Sequence, residues 1–390
     1  AGYERPNFFV RAFWNSYGID GPVTTHPLLA PFLRSLSRDL QPNLTSHGHT
    51  YDLEAQQRIE VGPTTRLAAG INYRHNTLSH NYIDQFRTED RLGLYLQGEW
   101  KATQLFQVVG GVRYDLDTFI NPTISPRAAL LFTPVPNHTI RATVAIGYRP
   151  PTLFETYEEA NGRITLPPPI PPRLSTATGS GNLGPEKIIS YELEYQGWYL
   201  RHRARIRASL FYNHLSDLIS FRPSPNPGIA QTSEVADIYG GEAGIEFLAT
   251  KWLSGFGNFA YQEIGQTLTE TARRGAPRFK YNAGLRTQWE NGLSGEIAYH
   301  YVGAATYPLS SAFSDFLAFG VVSPNPYVGS YELLNLRGAY RFWQEAAAAG
   351  YRREAEVAVS AFNSLNDTHK EHPLGDLIGN RVMGWLTVRY

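Results

Sequence analysis

One pattern recurs along nearly the whole chain: residues alternate between apolar and polar with a period of two. In "RLGLYLQGEW" one face carries Leu92, Leu94, Leu96 and Trp100, and the other Arg91, Tyr95, Gln97 and Glu99. "YDLEAQQRIE" sets Tyr51, Leu53, Ala55 and Ile59 against Asp52, Glu54, Gln56, Arg58 and Glu60. "IRATVAIGYR" and "FKYNAGLRTQW" repeat the pattern. Successive side chains of a strand point to opposite faces, so each such segment is a strand with one apolar and one polar side. About sixteen of them occur, most long enough to match the ~9–11 tilted residues that cross a bilayer.

A soluble antiparallel sheet with one wet face alternates in the same way. Three further features favour a membrane barrel. Aromatics make up 13 % of the chain, with 24 Tyr, and they collect at the ends of the apolar face: Trp100, Tyr114, Phe132, Tyr148, Tyr191, Tyr199, Trp289, Tyr301, Phe342 and Tyr390. Amphipathic rings favour the membrane interface. Short links ("VGPTT", "TPVPN", "RHR", "TKW", "WENG") take turns with long ones at Gly18 to Gly48, Pro150 to Gly184, Phe221 to Gln231, Ala304 to Gly329 and Leu365 to Ile378. The one modest exception lies near Asp117 to Pro122. Outer-membrane barrels sort their connections by end in this way. The polar face holds charges of both signs, such as Arg113 and Asp115, Arg205 and Arg207, and Glu242 and Glu246. Backbone in lipid must be paired internally, so strands like these span a membrane only as a closed barrel.

The expected fold is therefore all-β: an antiparallel transmembrane β-barrel filling residues 1–390 as one partial domain. Long loops face outward and the C-terminus is periplasmic. No segment reads as a convincing helix. "WQEAAAAGYRREAE" reads as a lengthened turn, being too short for an isolated helix. No apolar run approaches the ~20 residues of a transmembrane helix. Lys+Arg and Asp+Glu are 35 each, with no basic stripe, which argues against a nucleic-acid partner. There is no cysteine to build a disulfide or a Cys-based zinc site. The first residue is Ala, and "NFFVRAFWNSY" is already a strand, so the expectation is a fragment.

The search for chemistry is thin. "HGH" at His47 to His49 is the best metal candidate, but no further ligand spacing supports it, and a polar loop is the plainer reading. Glu155, Glu158 and Glu159 in "LFETYEEA" read as solvated loop charges. "LPPPIPPR" reads as a stiff outer loop. No hydrolase, nucleotide-binding or zinc-protease motif appears, so no enzyme and no cofactor is expected.

Several stretches resemble the barrel of TonB-dependent outer-membrane receptors. "GYRPPTLFE" is similar to a family motif carried here by Arg149, Pro151 and Glu155. "GNLGPEKIISYELEY" is similar to another, on Asn182, Leu183, Pro185, Glu186, Tyr191 and Glu192. That second match departs in small ways, with Glu194 in place of a Gly and Ser180-Gly181 in place of Asn-Pro. "DIYGGEAGIEF", "APRFKYNAGL", "YELLNLRGAYRF" and "VSAFNSLND" resemble later strands. In order, these cover the chain from about residue 90 to its end, and a motif set gains weight from such context.

The resemblance implies a barrel of about 22 strands filled by an N-terminal plug. It implies uptake of scarce large ligands such as ferric siderophores, driven through a TonB complex. This chain reads as the C-terminal part of such a barrel, with a plug of about 130–150 residues expected upstream. Outer-loop ligand contacts are expected at Tyr157, Arg163 and Phe316. Outer-membrane lipid and the barrel assembly machinery are expected partners. Val382, Leu386, Val388 and Tyr390 resemble the terminal signal that this machinery reads. The alternative is a passive porin of about sixteen strands.

Overall fold

The computed structural model describes residues 2–22, 43–83, 86–164, 173–222, 228–231, 233–266, 275–307, 325–346, 352–373 and 375–389. The first eight strands are β1 (Gly2–Arg5), β2 (Phe8–Pro22), β3 (Asn43–Val61), β4 (Thr65–His80), β5 (Arg87–Lys101), β6 (Phe106–Asp117), β7 (Thr123–Val135) and β8 (His138–Arg149). A short helix, α1 (Leu153–Tyr157), follows. Then come β9 (Glu159–Ile164), β10 (Arg173–Thr178), β11 (Glu186–Tyr199), β12 (Ala204–Ser216), β13 (Ile219–Arg222), β14 (Gly228–Gln231), β15 (Ala236–Leu248) and β16 (Leu253–Gln266). The last are β17 (Phe279–Gln288), β18 (Leu293–Val302), β19 (Ala305–Thr306), β20 (Tyr327–Val328), β21 (Tyr331–Ala346), β22 (Arg352–Phe362) and β23 (Arg381–Arg389).

These strands form one 17-stranded sheet. It runs as a meander, each member antiparallel to the sheet strand before it: β1 to β8, then β11, β12, β15 to β18 and β21 to β23. The remaining strands pair outside the sheet, β9 with β10, β13 with β14 and β19 with β20. All three pairs lie in the long links. The strand beyond the expected number is β1, a four-residue partner of β2.

The two faces sort as the alternation predicts. Leu94 and Leu96 are 44 % and 50 % exposed on the outward face, whereas Asp52 is 8 % and Glu89 2 % exposed on the inward one. Inward charges satisfy one another across neighbouring strands. Arg141 meets Glu194 at 2.8 Å, Arg205 and Arg207 both meet Glu246 at 2.7 and 2.8 Å, and Arg337 meets Glu356 at 2.8 Å. Tyr95 lies across β4 to donate to Glu54 or Gln56 of β3, at 3.0 and 3.1 Å. It passes over Gly70, where a Cβ would sit 2.3 Å from the ring.

Outward aromatics form two bands. At the short-turn end Phe106 stacks on Phe132 at 4.8 Å and Trp252 on Trp289 at 5.9 Å, and Trp100 is exposed at the same end of β5. Towards the long-loop end stand Trp14, Tyr51, Tyr73, Tyr191, Tyr212 and the stacked pair Tyr281–Tyr301. On β4, Tyr73 and Thr65, which pairs with Trp100, are eight residues apart. At 3.3 Å per residue that is about 26 Å, close to the ~25 Å apolar band of an outer-membrane barrel.

The long-loop band contains one arrangement twice. Tyr73 donates to Asp90 at 2.6 Å while His75 Nδ1 lies 2.8 Å from the same carboxylate. Tyr212 and His214 meet Asp237 at 2.7 and 2.8 Å in the same way. Each is a Tyr-x-His on one strand facing an Asp on the next.

Three expectations need correction. The two ends of the link from Gly18 to Gly48 are strand, since pairing continues from Gly18↔His47 to Pro22↔Asn43; residues 23–42 lie outside the described residues. Above the membrane level, backbone donors and acceptors still need partners, so the ladder persists where side-chain alternation no longer marks it. "WQEAAAAGYRREAE" is also mostly strand, with Trp343 to Ala346 paired to Arg352 to Ala355 beyond a bulge; residues 347–351 lie outside the described residues. The third correction is α1, absent from the sequence reading.

Candidate functional site at the long-loop end

The strongest polar constellation among the described residues joins the two sequence motifs. Arg149 is the last residue of β8 and Glu186 the first of β11, and they stand opposite each other in register. Between them the chain leaves the sheet for 36 residues, 150–185. Pro151, fully buried, starts that excursion. With no N–H to donate, it removes a ladder hydrogen bond where β8 ends.

Thr152 then caps α1. Its Oγ1 accepts from the Glu155 N–H at 3.2 Å, and the Glu155 carboxylate accepts from the Thr152 N–H at 2.8 Å. This is a reciprocal capping box, which satisfies amide donors at both ends of the turn. A helix of five residues has too few internal hydrogen bonds to stand alone, so the cap and the packing beneath it hold it. Leu153 packs with Leu78 and Ile83, and Phe119, Phe154 and Tyr157 surround them.

The cap places Glu155 against Arg149. The guanidinium donates to both carboxylate oxygens, each at 3.0 Å. Its Nε donates to Glu186 Oε2 at 2.5 Å. The other Glu186 oxygen accepts from the Ile219 N–H, where β13 begins, at 2.8 Å. Gln231, at the end of β14, completes the set: it accepts from the Gly184 N–H at 2.8 Å and donates towards the Pro185 and Asp217 carbonyls at 3.3 and 3.0 Å. One arginine and one glutamine thus tie the excursions over β8–β11 and β12–β15 to each other and to the strand ends.

Two carboxylates here are shifted in opposite directions. Burial alone would raise Glu155, but the Arg149 hydrogen bonds and the Thr152 amide outweigh it and hold its pKa below the ordinary carboxylate value. Glu158, three residues on, is raised by burial. The sequence reading of Glu155 as a solvated loop charge is therefore corrected. Its side chain is only 21 % exposed, and its partner is fixed. The signal that reveals it is the Thr152-x-x-Glu155 capping pattern.

The other expected residues fall as follows. Leu183 is buried, Asn182 exposed, and Tyr191 projects from the outward face. Glu192 points inward, 3.9 Å from Arg141. Tyr157 packs edge-on to Phe119 at 5.7 Å, with the Arg87 guanidinium over its ring at 4.2 Å. Arg163 is on β9, opposite Leu174. Phe316 and Tyr390 lie outside the described residues, as does "LPPPIPPR" apart from its final Arg173. Val382, Leu386 and Val388 are exposed on one face of β23, at 70 %, 69 % and 52 %. The "HGH" residues do not converge. His47 pairs with Asp20 at 3.2 Å, and His49 accepts from Trp14.

Known proteins share this architecture. The family described as "TonB dependent receptor-like, beta-barrel" matches residues 3–363. The iron-regulated outer membrane virulence protein of Vibrio cholerae serotype O1 is 24 % identical over 278 residues, covering 64 % of this chain and 40 % of its own length. The FrpB iron transporter of Neisseria meningitidis superposes with a TM-score of 0.70 at 13 % identity, covering 96 % of this chain and 59 % of that one. The siderophore receptor PirA of Acinetobacter baumannii gives 0.69 at 16 % identity, covering 96 % and 58 %. At these identities the structural likeness speaks for the fold, and the chain spans well under two thirds of the length of each relative.

Proposed function

The chain belongs to the TonB-dependent receptor β-barrel family, and on that premise we propose that it is the barrel part of an outer-membrane receptor importing a scarce iron complex, a ferric siderophore or similar chelate. The family match over residues 3–363 carries the reading. The names of the relatives, iron-regulated protein, iron transporter and siderophore receptor, support iron as the cargo. Residues 1–390 form a partial barrel domain. The rest of the receptor supplies the plug and the contact with the TonB complex, and thereby the energised step. The long-loop end faces the exterior and the short turns the periplasm. Ligand contacts come from the long loops, including Tyr157, Arg163 and Phe316. Arg149, Glu155 and Glu186 hold the base of those loops rather than touching ligand. The outward row Val382, Leu386 and Val388, with Tyr390, is the stretch that the barrel assembly machinery reads, and outer-membrane lipid surrounds the apolar face. The chain binds and conducts; no catalysis is assigned to it.

Uptake of radiolabelled iron chelates by iron-starved cells tests this. Disrupting the gene abolishes uptake of at least one chelate, and so does collapsing the proton-motive force. Uptake that survives loss of the proton-motive force and scales linearly with solute concentration would indicate a passive porin instead.

A further inference from the structure

The segment between β22 and β23 carries a histidine held more firmly than a surface connection requires. His369 forms a two-way backbone bridge with Ile378, at 3.2 and 2.8 Å. Its ring stacks on Tyr331, with centroids 4.0 Å apart and planes 14° apart. Its Nδ1 lies 2.6 Å from the Asp367 carbonyl oxygen. A carbonyl only accepts, so Nδ1 carries the proton. Asp367 is itself clamped, its N–H donating to the Asn363 side chain at 3.1 Å and its carbonyl accepting from it at 3.0 Å. A carbonyl that takes the Nδ1 proton is the usual device for aiming the opposite nitrogen of a metal-binding histidine.

That opposite nitrogen, Nε2, makes no hydrogen bond among the described residues. The His369 side chain is 5 % exposed. In the neutral imidazole this atom keeps its lone pair. Across from it stands Glu371 Oε1, also an acceptor, at 3.7 Å. That gap is too wide for a hydrogen bond, which closes to about 3.2 Å or less. It fits an ion. Two ligands at about 2.0–2.1 Å from a tetrahedral centre sit roughly 3.4 Å apart.

Glu371 is 53 % exposed, so the gap opens to solvent on its side. Tyr307 steadies it by donating to the Glu371 carbonyl at 3.0 Å, and its ring meets His372 edge-on at 5.1 Å. The local sequence is thus His-Lys-Glu-His, with His372 the next donor along the chain. Among the described residues no three such side chains already converge, so the protein offers two ligands and leaves the other positions to water or to His372.

We propose that His369 Nε2 and the Glu371 carboxylate bind a divalent first-row transition ion at the long-loop end, in a site distinct from the Arg149 network. An imidazole–carboxylate pair suits Zn²⁺ or Cu²⁺ rather than Mg²⁺ or Ca²⁺, which take oxygen ligands. The test uses the whole receptor purified in detergent, with Zn²⁺ alone in calorimetry and Cu²⁺ alone in electron paramagnetic resonance. The expected result is one saturable site. His369→Gln and the milder Glu371→Gln each weaken it by at least about tenfold, while a His47→Gln/His49→Gln double variant does not. The Cu²⁺ spectrum shows imidazole nitrogen splitting that His369→Gln removes and Glu371→Gln retains, with unchanged far-ultraviolet dichroism in both. Absence of saturable binding, or binding in both single variants as tight as in the parent, overturns the proposal. Iron uptake plays no part in the readout, so failure here is separable from failure of the receptor assignment.

Discussion

Arg149 and Glu155 meet through two hydrogen bonds of 3.0 Å, although a proline-led turn and a helix cap separate them in the chain. The same guanidinium holds Glu186, so a single side chain closes both ends of a long excursion. Replacing Arg149 with Met leaves two mostly buried carboxylates without their cation. Arg149 itself is 44 % exposed, so the loss is set at about 1–2 kcal/mol rather than the full cost of breaking a buried pair. Hydrogen exchange checks it: the Glu155, Thr156 and Ile219 amides should exchange faster while the central strands keep their protection. Arg149→Lys should not rescue, because an ammonium cannot fork onto one carboxylate and hold a second.

The acid response of this loop base follows from the two shifted carboxylates. Glu155 is depressed, so its contribution is present above its ordinary value of 4.5 and is lost as pH falls through its lower folded value. Glu158 is raised, so its charged form is a liability that is relieved as pH falls through its higher folded value. Lowering the pH from neutral should first tighten the α1 region and then, below the ordinary carboxylate range, release it. Limited proteolysis across a pH series reads this. Glu155→Gln should remove the acid release, and Glu158→Gln the earlier tightening.

The face assignment makes a sharp comparison on β5. Leu94→Arg puts a charge on the outward face at mid-height and should cost about 2–4 kcal/mol in folding into bilayers. Gln97→Arg, on the inward face among paired charges, should fall within about 0.5 kcal/mol of the parent. Equal costs at the two positions would show that the faces are misassigned.

Gly70 and Tyr95 should behave as one unit. Gly70→Ala pushes the ring off its position and so forfeits the hydrogen bond to Glu54 or Gln56, at about 1 kcal/mol. Tyr95→Phe should cost a similar amount. In the double variant the second change should add little, since the bond is already gone, and a folding-stability cycle measures that coupling.

Much of the wall was legible because a period of two survives wherever one side meets lipid. Leu94 and Tyr95 could be assigned to opposite faces from their neighbours alone. What the pattern could not give is structure beyond the membrane level. There, Leu44 to His47 still pair with Gly18 to Gly21, but solvent on both sides removes the pressure to alternate. The candidate site was half visible. Arg149, Glu155 and Glu186 stood out as motif residues, yet their meeting depends on a turn of helix too short to show periodicity. His369 was invisible for a different reason. Its significance lies in which nitrogen holds the proton, and that is decided by the position of the Asp367 carbonyl.

The hydrogen bonds at the loop base have a consequence for how such a protein diversifies. Arg149, Thr152, Glu155, Glu186 and Gln231 bond to one another and to backbone. The Gly179 and Ser180 amides close the opening by donating to the Glu158 and Glu155 carbonyls. None of these contacts uses a side chain from β9 or β10. Every bond of this mounting is thus made by residues outside the hairpin, so exchanging hairpin residues between lineages leaves each of these bonds its own partners.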